Sequence, residues 1–266
     1  MQIRSLGYRT DLALLQAGGS EISDHGDHLV VRSPHNPTHW WGNFLLLAEI
    51  PPAEAVENWL KRFAAEFPEA DHCTFGFDGI AGRVGDLAGF AGRGFAVEAQ
   101  TVMTAGSVHP PRRRDTTAEY RALSSDEDWA QSVELNMRCN DTFDTDYHRG
   151  YVTSKVSTQR RLVEAGLGRW FGAFADGQLR CQMGLYRAEP TLARFQSVET
   201  DPDFRRRGLA GALVFYVSRF GFDELGVRTL VMVADPDYVA IDLYRAVGFV
   251  DTESQCQAER GDHGVG

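Results

Sequence analysis

Phe204–Leu213 reads FRRRGLAGAL: three consecutive arginines, Arg205, Arg206 and Arg207, run into Gly208, Leu209 and Ala210 in a 266-residue chain whose formal net charge is -10. The chemistry such a run suits is anion binding. The first turn of a helix leaves backbone N–H groups without intrahelical partners, and the helix dipole places partial positive charge at the same end. Gly208 and Ala210 keep side-chain bulk off that backbone, and guanidinium groups add charge-assisted hydrogen bonds to phosphate oxygens. A strand, a tight turn and a helix at this point would make a phosphate cradle. A helix end contributes only about 0.3–1 kcal/mol when exposed and about 2 kcal/mol when partly buried, so several donors must act together.

Two other groupings carry less chemistry. SDHGDHLVV sets His25 and His28 beside Asp24 and Asp27, but no third ligand group is fixed by spacing, so no metal is expected. HNPTHWW, with Trp40 and Trp41, suits either packing or a substrate wall, and packing is the expected role. The four cysteines, Cys73, Cys139, Cys181 and Cys256, stand far apart with no CxxC spacing, which suggests neither a zinc site nor a disulfide framework.

The elements that must position the cradle follow from pattern. Pro110 and Pro111 interrupt regular structure and charged residues follow to Asp115, which marks a connector, so a domain boundary is placed near Ser107: residues 1–107 and 108–266. Beyond it, Trp129, Val133 and Met137 recur four apart behind Ser125, a helix cap, and a second helix is expected over 146–166. Asp176 and Gly177 stand between two strand-like runs, a hairpin signal, because both residues tolerate positive φ. A third strand is expected over Ala193–Thr200. From Gly208, Leu209, Leu213, Tyr216, Val217 and Phe220 keep helical spacing. VRTLVMVAD reads as a buried strand, and VAIDLYRAVGF as a helix ended at Gly248.

In that setting the sequence resembles the GNAT superfamily of acyl-CoA-dependent N-acyltransferases. Arg205-x-x-Gly208-x-Ala210 fits the Arg/Gln-x-x-Gly-x-Gly/Ala signature between a strand and a long helix, and AIDLYRAVGF resembles a second family segment at Ala240, Ile241, Leu243, Tyr244, Gly248 and Phe249. The resemblance spans about Thr117 to Glu259. It implies a mixed α/β fold with a central, mostly antiparallel twisted sheet flanked by helices, and acetyl-CoA as co-substrate. By the same resemblance, amides around Arg206–Ala210 hold the CoA pyrophosphate and the strand edge at Val198–Thr200 bonds the pantetheine arm. Tyr244 is then the general acid for the departing thiolate and Glu199 a candidate general base, with a free amine attacking the thioester directly. Asp237 departs from the Asn many members carry.

The first half shows the same order of elements. WWGNFLLLAEIPPAEAVENWLKRFAAEF reads as strand, proline turn and helix, followed by a strand at HCTFGFD and by Phe90-x-x-x-Gly94-Phe95. Phe44 and Phe195 lie 151 apart and Phe95 and Phe249 lie 154 apart, so one offset nearly aligns both landmarks and implies two tandem copies. The first copy is expected to be chemically disabled. Pro51 and Pro52 replace the cradle and offer no N–H, and Phe90 stands in the place of Tyr244.

Composition sets the remaining bounds. The first 107 residues carry 7 basic against 13 acidic side chains and the rest 20 against 24, so neither half is a basic, nucleic-acid-like surface. No apolar run reaches the roughly 18 residues of a membrane span, and no signal-peptide pattern opens the chain, so a cytoplasmic protein without membrane contact is expected. The acceptor is expected to be a small-molecule or peptide amine and the protein a monomer or homodimer. Asp141–His148, DTFDTDYH, is an acidic stretch that would suit a cationic acceptor. A CoA-responsive module without turnover is the alternative.

Overall fold

The computed structural model describes residues 1–140, 145–238 and 240–261. In chain order the regular elements begin α1 (Leu6–Ala17), β1 (Glu21–Asp24), β2 (His28–Arg32), β3 (Phe44–Leu47), α2 (Val56–Glu66), β4 (His72–Phe77), α3 (Ala88–Ala91) and β5 (Ala96–Ala105). There follow β6 (Glu119–Ala122), α4 (Asp126–Cys139), α5 (Thr145–Glu164), β7 (Gly168–Ala175), β8 (Gln178–Glu189) and β9 (Leu192–Thr200). The last are α6 (Leu209–Asp223), β10 (Thr229–Ala234), α7 (Ala240–Arg245) and β11 (Val250–Gly261).

These elements form two compact units. One comprises Met1–Val102, Val233–Pro236 and the stretch from Asp251; the other comprises Met103–Met232 and Asp237–Val250. A single cut near Ser107 therefore does not describe the division. The reason is β11, which pairs antiparallel with β4 from Phe77↔Cys256 to His72↔Gly261 and so belongs with the first unit.

Within the first unit, β1, β2 and β3 run antiparallel and β3 pairs parallel with β4, with α2 as the crossover. Side chains alternate across a strand, so Leu45 and Leu47 join Val56, Phe63, Phe75 and Phe90 in one core while Phe44 and Leu46 join Tyr8 and Leu12 of α1 in the other. Pro52 precedes a 3-10 turn, Ala53–Ala55, that leads into α2. Phe90 is 1% exposed among Phe75, Phe77 and Phe95, and Trp40 stacks on His72 while the Trp41 indole donates to Glu259 at 2.8 Å, so both tryptophans serve packing.

The second unit orders its strands β10-β9-β8-β7-β6, antiparallel except for β9 and β10. Asp176 and Gly177 take positive φ, 51° and 72°, in the hairpin between β7 and β8, as that dipeptide predicts. Ser125 caps α4 by accepting from the Asp128 N–H, and the Asp128 carboxylate accepts from the Ser125 N–H in return. Alternation along β8 sorts its faces: Gln182 and Tyr186 bond to α4 and α5, whereas Leu185 lies against Gly221 of α6.

Two expected apolar stripes are modified. On α6, Leu209, Leu213, Val217 and Phe220 are buried but Tyr216 is 43% exposed, because it stands one step off the stripe's axis. On α4 the buried positions are Asp128, Trp129, Ser132, Leu135 and Asn136, while Val133 and Met137 are only half-buried. Ser132 and Asn136, one turn apart, thus face the sheet, and both have partners there.

Candidate active site

The site is built on the end of β9. Pairing with β10 covers only Leu192, Ala193 and Arg194, opposite Thr229, Leu230 and Val231. From Phe195 on, β9 keeps β8 on one side and leaves its other edge without a strand pairing to β10. That unpaired edge runs through Val198 to Thr200, where an extended ligand arm can add backbone hydrogen bonds.

A bulge then decides which way the side chains point. Gln196 pairs with Gly184 but Glu199 pairs with Gln182, so Ser197 and Val198 together oppose Met183, and Ser197 takes φ 48°. In unbroken alternation Glu199 would share the face of Phe195, whose ring meets Phe249. With the bulge, Glu199 turns to the α4 face and Thr200 to the opposite one, where its hydroxyl donates to Cys181 Sγ at 3.2 Å.

Glu199 is held tightly there. Asn136 Nδ2 donates to Oε1 and Gln182 Nε2 to Oε2, each at 2.6 Å, and Lys155 Nζ stands 3.8 Å from Oε1. Gln182 is itself fixed: its Oε1 accepts from Ser132 Oγ at 2.6 Å and from the Trp170 indole at 3.0 Å, and its Nε2 also donates to the Ser132 carbonyl at 3.2 Å. The Glu199 side chain keeps 17% of its surface exposed. Two carboxylate oxygens offer about four acceptor positions, so capacity remains for an incoming N–H. His148 on α5 is part of the same electrostatic neighbourhood. Its pKa is lowered by burial and by the Lys155 ammonium, against the opposing pull of Glu199, which favours the neutral imidazole.

Tyr244 lies on α7, 6% exposed. Burial raises its pKa, with the Cys181 thiol and the Tyr238 phenol adding to the effect, so the hydroxyl keeps its proton throughout the neutral range. Cys181 is the residue whose sulfur accepts from Thr200, so Tyr244 and the end of β9 share an electrostatic neighbour.

The cradle follows through a short turn. Asp201, 2% exposed, receives Arg180 at 2.9 Å and Arg138 at 3.4 Å and caps the 3-10 turn Pro202–Phe204 by accepting from the Asp203 N–H. Arg206 takes φ 59° and Gly208 φ 91°, and α6 starts at Leu209 with no side chain capping it. The amides of Leu209, Ala210 and Gly211 precede the first α-helical bond, Ala212 N–H to the Gly208 carbonyl, and stay available for an anion. The three arginines are exposed and behave differently. Arg205 Nε approaches the Thr200 carbonyl at 3.4 Å, and Arg207 donates to the Asp203 carbonyl at 2.8 Å with its guanidinium 4.3 Å over the Phe204 ring. Arg206 has no hydrogen bond or ion pair among the described residues.

The sequence pattern singles out Glu199, Tyr244 and the start of α6 as candidates but not the residues that hold Glu199. Ser132, Asn136, Lys155 and Gln182 carry no motif. Their legible signal was Ser132 and Asn136 at i and i+4 on the helix face that packs on the sheet. Of the acidic stretch Asp141–His148, residues 141–144 lie outside the described residues.

Residues 129–249 match the family described as the acetyltransferase (GNAT) family. No curated protein matches the sequence. Among solved structures, a functionally unknown conserved protein from Staphylococcus epidermidis ATCC 12228 is similar at TM-score 0.68 and 14% identity, covering 91% of this chain and 94% of its own. A GCN5-related N-acetyltransferase from Kribbella flavida is similar at TM-score 0.62 and 16% identity, covering 98% of each chain. A tandem GNAT protein from the clavulanic acid biosynthesis pathway is similar at TM-score 0.58 and 14% identity, covering 95% of this chain and 89% of its own. At these identities the likeness is one of fold, and it extends over nearly the whole chain.

Proposed function

We propose that this chain, which carries a GNAT acetyltransferase domain over residues 129–249, is an N-acetyltransferase that moves an acetyl group from acetyl-CoA to a primary amine by direct attack. The observation that carries the reading is the continuity of one ligand path in the second unit. The unpaired edge of β9 leads through the Asp201 turn into uncapped α6 amides.

Acetyl-CoA supplies an acyl thioester already activated for attack. In this reading the first-turn amides of α6 and the positive φ of Gly208 receive the pyrophosphate, and Arg206, free of partners among the described residues, adds charge. Val198 and Thr200 offer backbone groups along the β9 edge. Glu199 takes a proton from the acceptor ammonium, directly or through water, and its lock by Asn136 and Gln182 aims it before substrate arrives. Tyr244, protonated at neutral pH, gives its proton to the leaving thiolate. The first unit, with Pro51 and Pro52 before α2 and Phe90 buried in its core, serves structure or substrate shaping in this scheme.

A second reading, a CoA-responsive module without turnover, draws on the 6% exposure of Tyr244. Both readings require CoA to bind. A ligand at 100 times its Kd adds about 2.7 kcal/mol of stability, which raises the melting temperature by several degrees. A melting temperature unmoved by millimolar acetyl-CoA would sink both readings.

A further inference from the structure

The chain has a second arginine triplet, Arg112, Arg113 and Arg114, ninety-three residues before the first described one. The fold brings the two together. A Cβ on Gly208 would lie 3.0 Å from Arg114 Cα, 3.0 Å from Asp115 N and 3.1 Å from the Arg113 carbonyl oxygen, and a Cβ on Gly211 would lie 3.4 Å from the Pro111 ring. The connector backbone is thus laid along the first turn of α6, and a side chain at 208 would be both crowded by it and strained at φ 91°.

The connector is also anchored on both sides of the triplet. His109 N–H donates to the Val247 carbonyl at 2.9 Å. Asp115 accepts from the Thr117 and Ala118 N–H groups, each at 2.8 Å, and its carbonyl accepts from Tyr120 Oη at 2.9 Å. Between these anchors Arg112, Arg113 and Arg114 are exposed and have no hydrogen bond or ion pair among the described residues. The carboxylates around them are engaged elsewhere: Asp115 in its own turn and Asp201 with Arg180 and Arg138. The backbones of both triplets therefore meet at one helix start, in a chain of net charge -10, and Arg112, Arg113, Arg114 and Arg206 have no hydrogen bond or ion pair among the described residues.

That is more cation than a diphosphate seated on backbone amides calls for. We propose that Arg112–Arg114 bind the ribose 3′-phosphate of CoA, making the connector the element that distinguishes CoA from its 3′-dephospho form. This rests on the reading of α6 as the pyrophosphate cradle.

The test is the affinity of the full chain for CoA and for 3′-dephospho-CoA by calorimetry at low salt, with the Arg112→Gln/Arg113→Gln/Arg114→Gln variant beside it. Three exposed charge contacts of ordinary strength amount to about tenfold in affinity, so the parent is expected to favour CoA by about that factor. The variant is expected to lose that preference while binding 3′-dephospho-CoA within about twofold of the parent. Equal affinities in the parent, an unchanged preference in the variant, or equal weakening toward both nucleotides would overturn the assignment while leaving the cradle intact. A parent chain that binds neither nucleotide would overturn the acetyltransferase reading itself, and this one with it.

Discussion

Glu199, the proposed general base, is held by residues on two neighbouring elements. Its two oxygens are pinned by Asn136 and Gln182, and Gln182 is in turn pinned by Ser132 and Trp170. Removing Gln182 leaves the Trp170 N–H and the Ser132 hydroxyl buried without their acceptor, a penalty of about 1–3 kcal/mol. Gln182→Ala is therefore expected to lower the melting temperature by several degrees and to reduce kcat more than the affinity for CoA, because α6 is untouched. Equal kcat in parent and variant would remove Gln182 as a positioning residue for Glu199. The arginines and Tyr244 were legible in the sequence because they belong to motifs with fixed spacing. Gln182 was not, since a glutamine on a strand reads as a solvent-facing residue until the buried polar face of α4 is placed against it.

The bulge in β9 is the element on which the site turns. Strand alternation puts Phe195 on the α6 face, and only the extra residue at Ser197–Val198 sends Glu199 to the α4 face. Inserting one alanine between Val198 and Glu199 is expected to move Glu199 one step along the strand to the face of Phe195 and so break both of its 2.6 Å hydrogen bonds, with turnover falling to the level of Glu199→Gln. If the insertion variant folds with full activity, the face on which β9 presents Glu199 does not govern turnover. Helices and hairpins of this unit were readable beforehand from capping, periodicity and the Asp176-Gly177 turn. The bulge was not, because a non-glycine residue at φ 48° has no compositional mark and its position is set by the partner strand.

At the scale of the whole molecule, two units each place a parallel strand pair around a crossover helix: β3, α2 and β4 in one, β9, α6 and β10 in the other. The repeat was visible as a nearly constant offset between aromatic landmarks. What linear reading missed is that β11, the last strand of the chain, is built into the first unit against β4. Strand partners are chosen by long-range pairing, and nothing in VDTESQCQAERG names β4 as its neighbour. The two units differ at the start of their crossover helices: uncapped amides start α6, whereas Pro52 and a 3-10 turn precede α2. The proposed acyl transfer accordingly falls to the second unit, through Tyr244 and Glu199. The most direct test is thiol release from acetyl-CoA with a panel of primary amines, for the parent and for Tyr244→Phe. Amine-dependent release is expected, slowed about 100-fold or more by the substitution with CoA affinity retained, because a positioned general acid typically contributes about 10²–10⁴. Absence of amine-dependent release across the panel, or equal rates for parent and Tyr244→Phe, would contradict this mechanism.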